Sequence, residues 1–181
     1  MSILDEEKKF YERFWALLND RQLMQIFERY GPPAFRRSSV LEGFETFIRA
    51  NDLSGRTCVE IGTLKGLTAL VLARYFRRVI TIDIVDDPHK RKIAQMLGVT
   101  NIEFINVKDN NEKADVINAL QFDAAYVDGD HIRDTDSDFA LVARGGRVLF
   151  HEHWDAQPAV VHLVGKLDNV IKQGKFALWA A

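Results

Sequence analysis

Acidic and histidine side chains gather in two short stretches of the chain. Asp128 and His131 lie in the first, and Glu152 and His153 lie in the second. Each stretch follows an apolar run, so the four side chains would meet at one sheet edge if the two runs are neighbouring strands. Carboxylates suit Mg²⁺, imidazoles suit softer divalent ions, and a histidine can also act as a general base. The pattern predicts metal-binding or acid–base chemistry. The alternative is that the acids cap a helix and the histidines are merely partly exposed.

A second candidate site lies in residues 58–68, CVEIGTLKGLT. Gly62 and Gly66 stand between an apolar run and a helical pattern, where glycine lets the backbone approach a ligand. Glu60 lies inside the apolar run, where an unpaired carboxylate would cost free energy. Thr68 and the start of the helix can donate hydrogen bonds. The glycine spacing is neither that of the dinucleotide-binding motif nor that of a Walker loop, and the glycines alone are equally compatible with a plain strand–helix turn.

The next apolar run ends in an acid, Asp83, about twenty residues after Gly62. An acid at this place is typical of sheets that bind a nucleoside, where it accepts hydrogen bonds from the ribose. The alternative is a helix cap or loop acid, a role that Asp86 or Asp87 could also fill. Gly62, Gly66 and Asp83 together favour a nucleoside-type ligand.

Composition limits the class of protein. The 181 residues are 47% hydrophobic and 28% charged, which fits one globular domain. The net charge of -2 lacks the basic surplus typical of proteins that bind nucleic acid. The single cysteine, Cys58, favours a reducing compartment. Since we find neither a bilayer-spanning run nor a signal-peptide pattern, we expect a cytoplasmic protein with no membrane or nucleic-acid partner.

The apolar pattern changes near residue 55. Residues 1–54 predict an N-terminal helical segment, interrupted at Gly31-Pro32-Pro33 and resuming at a capping box from Ser39 to Glu42. In residues 55–181, apolar runs alternate with helical patterns. The predicted strands are 57–61, 79–82, 102–107, 122–127, 147–150 and 176–179, and the predicted helices are 66–77, 87–97, 111–120, 133–143 and 157–173. This alternation predicts an α/β fold with a doubly wound, mostly parallel, Rossmann-like sheet covered by helices on both faces.

Three blocks of this domain resemble one protein superfamily. Residues 59–72, VEIGTLKGLTALVL, resemble motif I of the class I S-adenosylmethionine-dependent methyltransferases, in the form found in small-molecule O-methyltransferases. Residues 122–131, FDAAYVDGDH, and residues 144–153, RGGRVLFHEH, resemble the fourth-strand segment and the glycine turn with the fifth strand. The resemblance covers roughly residues 55–155. It implies that residues 55–181 bind S-adenosylmethionine and transfer its methyl group to a small molecule, most simply at oxygen.

The resemblance also implies residue roles. The residues implied to hold the cofactor are Glu60, Gly62, Thr63, Gly66, Thr68, Asp83, Asp109 and Asp128. Within this set, Asp83 would accept hydrogen bonds from the ribose hydroxyls and Asp109 would lie beside the adenine. Lys108 and Asn110 stand where the family has glycine and serine around that acid.

Metal-dependent members of this superfamily place one acid after the fourth strand and an acid–amide pair after the fifth. Asp128, Glu152 and His153 occupy these positions, which implies a divalent ion such as Mg²⁺ that activates an acceptor hydroxyl. We then expect the carboxylates of Asp128 and Glu152 within about 6 Å of each other. The metal-free alternative has His131 or His153 as the base, with Asp128 as a further catalytic group.

The end of the chain predicts a departure from the full seven-stranded sheet. After a helix reaching residue 173, the remaining residues leave room for one strand, so we expect a truncated terminal hairpin or an edge completed by a second chain. A homodimer could form there or through residues 1–54, which could otherwise act as a lid. The alternative function is a catalytically silent nucleoside-binding or protein-interaction module, and a nicotinamide-dependent dehydrogenase is a weaker third.

Overall fold

The computed structural model describes residues 44–64, 66–87, 89–129, 133–151 and 158–181. The strands of this part are β1 (Thr57–Ile61), β2 (Arg78–Asp83), β3 (Ile102–Asn106), β4 (Ala124–Val127), β5 (Arg147–His151), β6 (Val170–Gln173) and β7 (Phe176–Ala180). The helices are α1 (Phe44–Ala50), α2 (Leu67–Leu72), α3 (His89–Met96), α4 (Asn110–Ala119), α5 (Thr135–Val142) and α6 (Pro158–Lys166), with a 3₁₀ turn at Ala143–Gly145.

The seven described strands form one sheet in the order β3-β2-β1-β4-β5-β7-β6. The first five are parallel to one another, and β7 pairs antiparallel with both β5 and β6. The strand order reverses at β1, which lies between β2 and β4. A reversal of this kind opens a crevice at the carboxyl ends of the strands, where ligands bind in open α/β sheets. The predicted doubly wound, mostly parallel fold is confirmed.

The sheet is buried on both faces because two separate cores cover it. Successive residues of β1 belong to different cores, Cys58 to one and Val59 to the other. One core packs α1, α2 and α3 against the sheet, and Phe44 and Phe47 of α1 are almost fully buried in it. The other core packs α4, α5 and α6 against the opposite face. Burial on both sides explains why the central strands are apolar at consecutive positions.

The structure corrects the prediction for the end of the chain. The predicted helix 157–173 is wrong beyond Lys166, where α6 ends. Residues 170–173 form β6, which pairs with β7 across the two-residue connection 174–175. The terminal hairpin is therefore present, and the predicted truncation is wrong. A homodimer stays a prediction, without the support of an incomplete sheet.

The N-terminal prediction is covered only in part. The helix expected after Ser39 agrees with α1, but the interruption at 31–33 and the capping box at 39–42 lie outside the described residues. The predicted helix 66–77 is shorter in the structure, because α2 ends at Leu72 and the chain turns over residues 73–77. None of the described helices has the length and apolarity needed to cross a membrane.

Candidate functional site

The turn after β1 packs tightly against the end of β4. Gly62 has φ +94°, and a Cβ built on it would lie 2.2 Å from the main-chain oxygen of Asp128. Its N–H donates to the oxygen of Ile82 at 2.9 Å, so the same residue also touches the end of β2. Gly66 has φ +76° and precedes α2, and its added Cβ would lie 2.9 Å from the Cβ of Lys90. Both predicted glycines are thus required by their backbone conformation and by close contacts.

Glu60 is entirely buried beneath this turn. The hydroxyl of Thr81 donates to its Oε2, and the hydroxyl of Thr63 lies 2.5 Å from that of Thr81. No described residue donates to or accepts from Oε1 of Glu60. Burial raises the pKa of Glu60 well above its ordinary value, and the Thr81 hydrogen bond opposes this only in part. The site therefore contains a buried carboxyl group with a raised pKa and one oxygen that no described residue hydrogen-bonds.

Asp83, the last residue of β2, connects two loops. Its Oδ2 accepts from the N–H of Leu64 at 2.6 Å, and its Oδ1 accepts from the N–H of Val85 at 2.8 Å. Leu64 has φ +43°, a conformation that an L-residue rarely adopts. Leu64, Ile84 and Val85 each expose about half or more of their side-chain surface. The carboxylate is therefore held in place with an apolar rim around it.

Asp128 follows β4 and lies across from β1. Its N–H donates to the oxygen of Ile61 at 2.9 Å, and the hydroxyl of Thr68 donates to its Oδ2 at 3.1 Å. The structure thus brings together most of the predicted cofactor residues at the carboxyl ends of β1, β2 and β4. Those residues are Glu60, Gly62, Thr63, Gly66, Thr68, Asp83 and Asp128.

Asp109 lies after β3 and has a local structural role. It is the N-cap of α4, and its carboxylate accepts from the N–H of Glu112 at 2.9 Å. The Glu112 carboxylate in turn accepts from the N–H of Lys108 at 2.7 Å. Asp109 follows β3, the parallel neighbour of β2, and therefore lies at the same carboxyl-end edge of the sheet as Asp83. Its predicted position beside an adenine stays a prediction.

The predicted metal and base residues fall largely outside the described part. His131, Glu152 and His153 all do, so their roles and the expected distance from Asp128 to Glu152 stay predictions. Among the described residues, no group of three or more His, Cys, Asp or Glu side chains is placed to hold a metal ion. His151, the last residue of β5, is buried with its ring 5.7 Å from that of Phe176.

Two buried lysines near the site were not found by sequence reasoning. Lys90 of α3 is fully buried, and its Nζ donates to the oxygen of Val85 at 3.2 Å. Burial lowers its pKa, while the charges of Asp83 and Asp86 work in the opposite direction. Lys113 of α4 forms a buried ion pair with Asp138 of α5 at 2.5 Å. Lysine is usually solvated, so no signal in one sequence marks either side chain as buried.

No protein-family model matches the chain, and no curated protein matches it. Solved structures do. An O-methyltransferase from Bacillus cereus in complex with SAH superposes with a TM-score of 0.65 at 16% identity, over 88% of this chain and 89% of that one. A putative caffeoyl-CoA O-methyltransferase from Staphylococcus aureus gives 0.64 at 15% identity, over 95% and 97%. A putative O-methyltransferase from Klebsiella pneumoniae gives 0.60 at 17% identity, over 90% of each chain.

These identities are low, so the likeness is one of fold. The described sheet and its helices share the fold of these O-methyltransferase structures. The fold that the resemblance of residues 59–72, 122–131 and 144–153 implies is confirmed.

Proposed function

We propose that the protein is an S-adenosylmethionine-dependent methyltransferase that modifies a small molecule at an oxygen atom. One observation carries the proposal. At the strand-order reversal of a methyltransferase-type sheet, a buried acid with an unused oxygen (Glu60) and an acid with an apolar rim (Asp83) flank the turn at Gly62. A silent protein-interaction module would need the fold but not a buried acid of this kind, which costs free energy. A silent nucleoside-binding module would keep the acid, so methyl transfer is the measurement that separates it from an enzyme.

The residues present fit the proposed cofactor. The carboxylate of Asp83 can accept hydrogen bonds from the ribose hydroxyls, because each of its oxygens has more than one lone pair and accepts from a single backbone N–H among the described residues. Ile84 and Val85 follow it and are half exposed, so they offer an apolar surface to a purine ring. On the other side of the turn, Oε1 of Glu60 is a buried oxygen without a hydrogen-bond partner among the described residues, and we assign it to the methionine part of the cofactor.

The chemistry of transfer divides between cofactor and chain. The cofactor supplies a methyl group on a positively charged sulfur, which an acceptor oxygen attacks while the carbon–sulfur bond breaks. The chain must hold the cofactor and remove the proton of the acceptor hydroxyl. Asp128 lies at the strand end nearest the turn, and His131 and His153 are the proposed bases.

Assistance by a divalent ion is the finer proposal, with Asp128, Glu152 and His153 as ligands. An ion bound there would stabilise the deprotonated acceptor oxygen. If it acts in this way, EDTA should abolish methyl transfer and Mg²⁺ or Mn²⁺ should restore it. Transfer that resists the chelator would favour a histidine base.

Cofactor binding is tested most directly by calorimetric titration with S-adenosylhomocysteine. We expect Asp83→Ala to weaken binding by about 1–3 kcal/mol, as for a lost hydrogen bond to a charged group. Asp123→Ala is a matched control, because Asp123 also accepts a backbone N–H, that of Thr57 at 2.9 Å, but at the opposite end of the sheet. Absence of binding to the wild-type protein at millimolar ligand would refute the proposal. Binding without transfer to any phenol, catechol or hydroxyacid acceptor would favour the silent module.

A further inference from the structure

The buried ion pair of Lys113 and Asp138 joins two helices behind the candidate site. Their side chains are only 6% and 1% exposed, and the distance from Lys113 Nζ to Asp138 Oδ1 is 2.5 Å. A buried ion pair contributes little net stability, because the loss of hydration offsets most of the attraction. Its presence at this place therefore calls for a reason other than stability.

The second oxygen of Asp138 faces the loop that follows β4. A Cβ built on Gly129 would lie 2.9 Å from Asp138 Oδ2 and 3.5 Å from Cγ2 of Ile61. The loop backbone thus runs directly over the carboxylate, with no room for a side chain between them. Gly129 follows Asp128 directly in the chain, so the position of the Gly129 backbone determines where the Asp128 carboxylate lies.

Lys113, the ion-pair partner of Asp138, lies on α4, the helix that follows β3 at the far side of the site. Lys113 lies one turn into α4, the helix capped by Asp109. A second contact runs parallel to the ion pair, since Nδ2 of Asn110 donates to Oδ2 of Asp134 at 3.4 Å. Helix α4, which follows β3, is thereby fixed to α5, which follows the loop after β4.

We propose that Asp138 is a positioning residue of the methyltransferase site: its carboxylate, oriented by Lys113, supports the backbone at Gly129 and so places Asp128 beside the turn at Gly62. Asp138 does not touch the reacting atoms in this proposal, which rests on the proposed function. An apolar side chain of similar volume would fill the space beneath Gly129 but would lack the carboxylate that Lys113 orients.

The test separates positioning from stability. Asp138→Asn keeps the shape and removes the charge, and the double variant Lys113→Met with Asp138→Leu removes both charges together. Because apolar replacement of a buried ion pair is often neutral or stabilising, the double variant should unfold at a urea concentration similar to that of wild type. We nevertheless expect both variants to bind S-adenosylhomocysteine about 10-fold or more weakly, by analogy with the loss seen when side chains that orient metal ligands are removed. Arg78→Gln, which breaks the exposed pair with Glu103 far from the site, should leave binding unchanged.

A second readout needs no ligand. Hydrogen exchange of the backbone amides of residues 128 and 129 reports whether the loop is held, and both variants should exchange there at least several-fold faster while the central strands stay protected. If the double variant binds and exchanges as wild type does, Asp138 only fills space and the inference is overturned. If the wild-type protein binds no S-adenosylhomocysteine, the proposed function fails, and unchanged exchange at 128–129 in the variants would separately overturn the positioning role.

Discussion

The steric need for glycine at position 62 gives the sharpest prediction of the structure. Gly62→Ala places a methyl group 2.2 Å from the main-chain oxygen of Asp128, 2.6 Å from its carbonyl carbon and 2.7 Å from the Cα of Gly129. All three atoms are backbone, so no side-chain rotation relieves the overlap. The end of β4 would have to move by more than 1 Å to reach an ordinary contact distance near 3.5–4.0 Å.

Two separate costs lower the free energy of unfolding of Gly62→Ala. A left-handed backbone costs an alanine about 1–2 kcal/mol relative to glycine. Overpacking of a tight contact costs a further 1–3 kcal/mol or so. Gly55→Ala isolates the first term, because Gly55 has φ +73° but nothing lies within 4 Å of its added Cβ. We therefore expect Gly62→Ala to lower the free energy of unfolding by about 2–5 kcal/mol and Gly55→Ala by about 1–2 kcal/mol.

Urea denaturation of both variants measures the difference, and titration with S-adenosylhomocysteine at a temperature where both are folded measures its consequence. Binding should be lost in Gly62→Ala, because displacement of β4 moves Asp128 away from Thr68, and should be unchanged in Gly55→Ala. Equal destabilisation of the two variants would refute the steric argument. A Gly62→Ala protein that binds the ligand as wild type does would show that the turn does not form the cofactor site.

Two further predictions concern single acids. Because the pKa of Glu60 is raised in the folded protein, its contribution to stability is complete below the ordinary value near 4.5 and is lost as pH rises toward the folded pKa. Glu60→Gln should therefore equal wild type in urea stability near pH 4 and exceed it as pH rises above about 5, by at most about 1.4 kcal/mol per pH unit; a wild-type advantage in that range would contradict a raised Glu60 pKa. Asp109→Ala should cost about 1 kcal/mol through loss of the helix cap, whereas Asp109→Ser keeps the cap. If Asp109→Ser still weakens S-adenosylhomocysteine binding, the acid serves the adenine as well; if it does not, Asp109 is only a cap.

The central strands could be predicted because burial on both faces leaves them few residue types. β1 is predicted to the residue, and β2, β3 and β5 to within one residue at either end. Helix α2 was predicted too long because Tyr75 and Phe76 continue its apolar spacing. The structure shows that Phe76 is buried by a turn of the chain and not by a helix. Periodicity records which residues are buried, and only indirectly the backbone that buries them.

The candidate site also contains residues that the sequence predicts and contacts that it does not. Glu60, Gly62 and Asp83 could be found because each lies at a fixed place relative to a strand end, and strand ends are visible in the sequence. Two other contacts could not be found in the sequence. They are the hydrogen bonds that join Thr63, Thr81 and Glu60, and the ion pair of Lys113 with Asp138. Their partners lie 18–25 residues apart on different elements, and only the packing of those elements brings them together.

The terminal hairpin shows a third kind of limit, that of exposed edge strands. Strand β6, Val-Ile-Lys-Gln, has one half-buried and three exposed residues, so its sequence lacks the apolar signal of the inner strands. Its partner β7 can be predicted from the sequence because its buried residues, Phe176, Ala177 and Leu178, form a continuous apolar run. The two strands are joined by Gly174-Lys175, and Gly174 has φ +54°. A two-residue connection that contains glycine is a stronger predictor of structure here than weak helical periodicity. The reason is that a tight turn restricts which residues fit its backbone conformation, whereas an exposed edge strand accepts many residue types. Lys172 lies on β6, the edge strand of the described sheet, and charge on an edge strand discourages the addition of another strand.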